Sequence, residues 1–226
     1  MELNLPDSIT SIAGSAFYGC TGLSCVTIPA GVTKIAGSAF EDCDNLQEFV
    51  VDEGSMSFAV IDGLLCNRAG TELIRCPYGM SDVIVPASIT NIGERAFSSI
   101  DSSIKITLSE GLKEIDSCAF IYCRGLTDII IPQSVTSIGS SAFQFCSSLT
   151  NVIFNGNAPA MESNPFNYGI PSNCTVYVSK NSTGWGVDIP GEWNGINIAY
   201  LEDDDSGEGG GSGESAYAPV SDFEWV

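Results

Sequence analysis

The nonapeptide IAGSAFYGC at residues 12–20 is written again as IAGSAFEDC at 35–43, IGERAFSSI at 92–100, IDSCAFIYC at 115–123 and IGSSAFQFC at 138–146. Phe17, Phe40, Phe97, Phe120 and Phe143 mark its period, which is 23 residues from Phe17 to Phe40, from Phe97 to Phe120 and from Phe120 to Phe143. The 57 residues from Phe40 to Phe97 are one period plus an interrupted copy of 34. A fixed period of about 20–50 residues specifies an array in which each unit contacts only its neighbours. One unit this short cannot bury enough apolar surface to offset the entropy of ordering itself, so the copies must stack continuously.

Other positions keep the same beat. Ile12, Ile35, Ile92, Ile115 and Ile138 recur, and Ala precedes each Phe. Leu23, Leu46, Leu126 and Leu149 stand ahead of alternating segments such as LTDIIIP at 126–132. There Ile129 and Ile131 share one face while Asp128 and Ile130 point the other way. Such period-two alternation, rich in Ile and Val, specifies a short strand, and Pro6, Pro29, Pro86 and Pro132 close it. A second extended piece follows, as in VTSI at 135–138. The Ala-Phe segment is then expected as a single helical or 3₁₀ turn.

The totals narrow the chemistry. With 28 acidic against 8 basic residues, the formal net charge is −20, and there is no His. So acidic a chain repels phosphate backbones, and nucleic acid is not an expected partner; anionic membrane surfaces are disfavoured for the same reason. Without His there is no Ser-His-Asp triad, Cys-His pair or His-ligated metal. No cofactor is expected. No apolar run reaches the roughly 18 residues of a transmembrane segment. The opening MELNLPDSIT lacks a signal peptide's basic start and apolar run. It enters repeat sequence directly, as expected of a piece cut from a longer chain.

The unit LxxVxIPxxVTxIGxxAFxxCxx resembles the BspA-like, or Treponema pallidum-type, leucine-rich repeat. Copies stand at 23–45, 103–125 and 126–148, with a degraded copy at 80–102 and a partial one from Leu3 to Gly22. The resemblance implies an α/β fold: a curved right-handed solenoid with a concave parallel sheet, and short helical or 3₁₀ turns on the other side. It also implies a repeat array over 1–154, interrupted by a hairpin within FAVIDGLLCNRAGTELIRCPYG, residues 58–79, with strands near 58–66 and 71–76 around NRAG. Residues 155–201 resemble the segment that closes such arrays, as a terminal coil needs a cap over its apolar face and strand edge. Residues 202–226 begin EDDDSGEGGGSGES and are expected as an acidic Gly/Ser-rich tail. The EDDD run at 202–205 lacks the loop pattern of an EF-hand. The terminal FEWV is a short match to sheet-adding C-terminal peptides, and NCT at 173–175 and NST at 181–183 fit the N-glycosylation pattern.

Nine cysteines are present, and Cys20, Cys43, Cys123 and Cys146 occupy one repeat position. They are expected as a ladder of buried thiols, although adjacent coils bring such Cα atoms within disulfide range, and Cys66 and Cys76 face a possible bridge across the hairpin. No metal site is expected from their spacing.

The concave face is the candidate site. Its outward strand positions are Cys25 and Thr27, Glu48 and Val50, Asp82 and Ile84, Lys105 and Thr107, Asp128 and Ile130, and Asn151 and Ile153, with Ser24, Gln47, Ser81, Thr127 and Thr150 at the rim. Val50, Ile84, Ile130 and Ile153 would align as an apolar stripe. A rigid curved sheet presents many side chains at fixed spacing with little ordering cost. The resemblance therefore implies a monomeric, non-enzymatic binding module, exported or displayed at the cell surface as adhesins are, engaging a protein or a glycan. The competing expectation is a passive spacer or stalk. Catalysis by paired carboxylates such as Asp82 and Asp128 is disfavoured, because they lie on different coils of a shallow sheet.

Overall fold

A computed structural model describes residues 1–201. The acidic run, the Gly/Ser tail and the terminal FEWV lie outside the described residues. Nine short strands form successive rungs of one face: 2–4, 25–28, 48–51, 82–84, 105–107, 128–131, 151–154, 175–178 and 196–200. Within three blocks, 2–51, 82–107 and 128–200, neighbouring rungs pair in parallel and in strict register, for example Val26 with Phe49 and Ile129 with Val152. Their inward residues, among them Val26, Ile28, Val83, Ile129, Ile131, Val152, Val176 and Ile198, are almost wholly buried. A second face carries two-residue strands at 11–12, 34–35, 91–92, 114–115, 137–138 and 160–161. The molecule is a β-solenoid.

The Ala-Phe segments are not helical, and no helix occurs among the described residues. The reason lies in where their amides point. Phe17 N–H donates to the Ala39 carbonyl, Phe97 to Ala119, Phe120 to Ala142 and Phe143 to Pro165, each in the next coil, at 2.7–2.9 Å. A helical turn would need those donors within its own coil. Positive φ at Ser15, Arg95, Cys118 and Ser141, and again at Asp42, Ser99, Tyr122 and Phe145, bends the chain so that alternate amides face the neighbouring coil. The nonapeptide thus forms a third hydrogen-bonded ladder. The fold is all-β with turns, not α/β.

Inside it the phenylalanines stack. Phe17 lies on Phe40 at 5.3 Å, and Phe97, Phe120, Phe143 and Phe166 form a second column at 4.9, 5.0 and 5.2 Å. The column breaks between Phe40 and Phe97, where the interrupted copy sits. That insertion is a three-stranded antiparallel meander, 58–61, 64–67 and 72–75, rather than the two-stranded hairpin expected. Asp62 and Gly63, both at positive φ, turn the chain four residues into the first expected strand. The third strand rejoins the solenoid by pairing in parallel with 91–92. Arg75, at its end, is wholly buried and donates to the Arg95 carbonyl, the Ser98 hydroxyl and the Ser98 carbonyl. Its guanidinium also lies 4.9 Å from the Tyr78 ring centre. The Tyr78 hydroxyl in turn accepts from the Asp42 amide and donates to the Phe40 carbonyl. Arg75 and Tyr78 therefore join the two phenylalanine columns.

The thiols stand free, Cys66 and Cys76 included. Cys43 and Cys146 donate to the Phe17 and Phe120 carbonyls of the preceding coil at 3.0 and 3.1 Å. Burial pushes Cys66, Cys76 and Cys146 up to about 12 and Cys174 up to about 11, so none is a ready nucleophile.

Candidate partner-binding face

The strand register fixes the outward side chains of the main sheet in two rows. In the first, Glu2, Cys25 and Glu48 are aligned, then Asp82 with Lys105, then Asp128, Asn151, Thr175 and Asn197. In the second, Asn4, Thr27 and Val50 are aligned, then Ile84 with Thr107, then Ile130, Ile153, Tyr177 and Ala199. The sheet is hydrogen-bonded in three blocks that break after 48–51 and after 105–107. The meander causes the first break. At the second, Ser103 stands where the copies opening at Leu23, Leu46, Leu126 and Leu149 carry Leu, and Ile104 turns inward instead, so the bend into 105–107 is built differently.

These breaks decide which expected residues come together. Ile130 and Ile153 are register partners in the C-terminal block. Val50 and Ile84 belong to the other two blocks, with Ile84 at 64% exposure and Val50 at 39%. Glu48, Asp82 and Lys105 are exposed, and Asp82 stands opposite Lys105 across the strand pair. Gln47 is exposed at the rim, its main-chain amide bonded to the Ser24 carbonyl. Burial pushes the Cys25 thiol up, and Glu48 and Glu2 on either side push it further, so it stays protonated.

The first two rungs of the C-terminal block are tied together by their side chains. Thr127 Oγ1 donates to Asp128 Oδ2 at 2.6 Å, and Asn151 Nδ2 donates both to Asp128 Oδ1 and to Thr150 Oγ1. This fixes Asp128 and Asn151 before any ligand arrives. Sequence reasoning missed the last two rungs, Thr175 with Tyr177 and Asn197 with Ala199, because 155–201 reads as a closing segment. The signal was present as alternation in TVYV at 175–178 and INIAY at 196–200. Beyond them strand 191–193 pairs antiparallel with 196–198 at the sheet edge. Trp185 and Trp193 pack edge-on against Phe154 beneath it.

A stacked parallel β-solenoid with a 23-residue unit and buried Leu, Ile and Phe at fixed places defines a leucine-rich repeat protein. The chain belongs to the BspA-type leucine-rich repeat family, whose model matches six copies over residues 1–60 and 75–184. The unmatched stretch between them falls within the meander. Among solved structures it resembles a leucine-rich repeat protein from Eubacterium ventriosum ATCC 27560, at 25% identity and a TM-score of 0.68, covering 79% of this chain and 48% of that one. It also resembles the pneumococcal vaccine antigen PcpA, at 21% identity and a TM-score of 0.54, covering 80% of this chain and 63% of that one. A leucine-rich cell surface protein from Faecalibacterium prausnitzii A2-165 aligns at 21% identity with a TM-score of 0.45, over 90% of this chain and 60% of that one. The chain therefore spans between 48% and 63% of the length of these relatives. No curated protein matches it. Among the described residues, no helix is long and apolar enough to cross a membrane.

Proposed function

We propose that this chain is a non-enzymatic binding module of a secreted or surface-displayed protein, engaging protein or glycan partners through the concave face of its solenoid. The observation that carries the reading is the block 128–200, whose rungs pair without a break. There a hydrogen-bonding row, Asp128, Asn151, Thr175 and Asn197, runs beside an apolar row, Ile130, Ile153, Tyr177 and Ala199. Paired polar and apolar stripes at about 4.8 Å per rung give a partner both direction and desolvation area. The remaining candidate contacts, Gln47, Glu48, Val50, Asp82, Ile84 and Lys105, would extend the same surface toward the N-terminal end. Against catalysis stands the geometry of a shallow sheet, with Asp82 and Asp128 on separate rungs and no enclosed pocket around either to tune one of them. Membership of a binding-type repeat family supports the general role. The surface location rests on the family resemblance.

The test is an array of immobilised glycans and glycoproteins probed with the intact chain and with the double variant Ile130→Asp/Ile153→Asp. Both isoleucines face outward and are only partly buried, so the variant is expected to unfold at the native midpoint while losing its array signal. A variant that keeps every signal would leave the spacer reading in possession.

A further inference from the structure

A groove of about 250 Å³ lies at the C-terminal end, between loop 166–172 and hairpin 191–197. Two of its lining residues, Glu192 and Asn197, face each other across the antiparallel pair, and both are exposed. Asn197 is also the rung that follows Thr175 in the polar row of the main sheet. The line Asp128, Asn151, Thr175, Asn197, Glu192 therefore runs straight into the groove. The opposite wall carries Tyr168, which is 66% exposed. Its main-chain carbonyl accepts from the Phe145 amide at 2.7 Å, which fixes the loop independently of the ring.

We propose that this groove is a saccharide subsite, in which the terminal ring of a neutral glycan rests on Tyr168 and bonds through its hydroxyls to Asn197, Glu192 and Asn167. The following sugar units lie along Thr175, Asn151 and Asp128. The proposal deepens the concave-face reading and rests on it.

Three features select this ligand class. Hydroxyl groups both donate and accept, and the groove offers matching groups: amides that do both, and a carboxylate that accepts twice. The C–H face of a sugar ring needs a flat aromatic partner, which an exposed tyrosine supplies. The volume is below the roughly 300–1,000 Å³ of pockets for drug-sized apolar ligands, and the walls lack the deep apolar socket that seats an anchor side chain of a protein. Charge narrows the class further. The chain carries 28 acids against 8 bases, and Glu192 lines the groove itself, so sulfated, sialylated and uronate glycans are repelled.

The experiment is isothermal titration of the intact chain with neutral tetrasaccharides as probes: glucose-, xylose-, mannose- and N-acetylglucosamine-based, with a sulfated and a sialylated oligosaccharide beside them. At least one neutral probe is expected to bind with a Kd between about 1 μM and 1 mM. Tyr168→Ala is expected to weaken it roughly tenfold or more, Tyr168→Phe to retain most of it, and Asn197→Ala and Glu192→Gln to weaken it several-fold each. All three residues changed are surface groups, and a circular dichroism melt confirms folding. The proposal is overturned if no neutral probe binds at millimolar concentration, if the anionic probes bind as well as the neutral ones, or if Tyr168→Ala, Asn197→Ala and Glu192→Gln bind unchanged. The double variant Ile130→Asp/Ile153→Asp separates the two readings. If it abolishes saccharide binding while Tyr168→Ala does not, the groove is wrong and the sheet reading stands. The reverse result keeps the groove and removes the sheet.

Discussion

Phe120 is the strongest single lever on this architecture. It is wholly buried, and both faces of its ring are covered, by Phe97 at 4.9 Å and Phe143 at 5.0 Å. Truncating a buried Phe to Ala costs about 3–5 kcal/mol. Two near-parallel ring contacts, each worth about 0.5–1.5 kcal/mol beyond area burial, put Phe120→Ala at the upper end, about 5 kcal/mol. Phe17 is the control. It is half-buried and stacks on one ring only, Phe40 at 5.3 Å, so Phe17→Ala is expected to cost about 1–2 kcal/mol. Urea unfolding followed by tryptophan fluorescence reads both variants, since Trp185 and Trp193 report the C-terminal coils. With a urea slope of about 2–3 kcal/mol/M, Phe120→Ala shifts the midpoint down by about 2 M and Phe17→Ala by less than about 1 M. Equal shifts, within about 0.3 M, would refute the view that the column carries stability coil to coil.

Other consequences are as direct. A Cβ on Gly139 would meet the Ser117 amide nitrogen at 2.3 Å, whereas one on Gly22 meets nothing; thermal melts should place Gly139→Ala about 2–3 kcal/mol below the native chain and Gly22→Ala within about 0.5 kcal/mol of it. The buried thiols make stability fall at alkaline pH. Cys76 and Cys146 are held near 12 by burial, while an unfolded thiol titrates near about 8.5. Unfolding therefore releases their protons above that pH. Their stabilising contribution is complete below about 8.5 and is lost as pH rises toward 12, about 2 kcal/mol per thiol by pH 10. A urea midpoint that is level from pH 8.5 to 10.5 would exclude this. Arg75→Ala leaves the Ser98 carbonyl without its guanidinium donor and the Arg95 carbonyl with only the Ser98 amide and should cost about 3 kcal/mol or more, while Arg124→Ala, which breaks the exposed pair with Asp101, should cost less than about 1 kcal/mol in the same melt.

The repeat was legible because its period is a one-dimensional signal: Phe120, Ala119 and Ile115 recur at positions that strand pairing then aligns. The outward strand residues could be read the same way, since alternation alone sets which side chains face out. The turn conformation was hidden. Ala-Phe with a preceding Ser or Cys contains nothing that forbids a single helical turn, and the neighbouring coil's carbonyls are what divert its amides. The meander was hidden for a similar reason. FAVIDGLLCN reads as one apolar run, and the turn at Asp62 and Gly63 lies inside it. The second break in the sheet depends on how one bend, at Ser103 and Ile104, meets the next coil. The groove at Tyr168 depends on two segments more than 20 residues apart meeting at the array's end. Neither is written in any local pattern.

Amide hydrogen exchange tests the coil-to-coil ladder most directly. Phe97, Phe120 and Phe143 amides donate to the next coil rather than to their own, so they open only when coils separate. The expected result is protection of these amides close to that of Ile129 and Val152 in the core strands, reflecting global opening. Exchange of those phenylalanine amides at the rate of a frayed surface turn, with the strands still protected, would contradict the stacked-coil account.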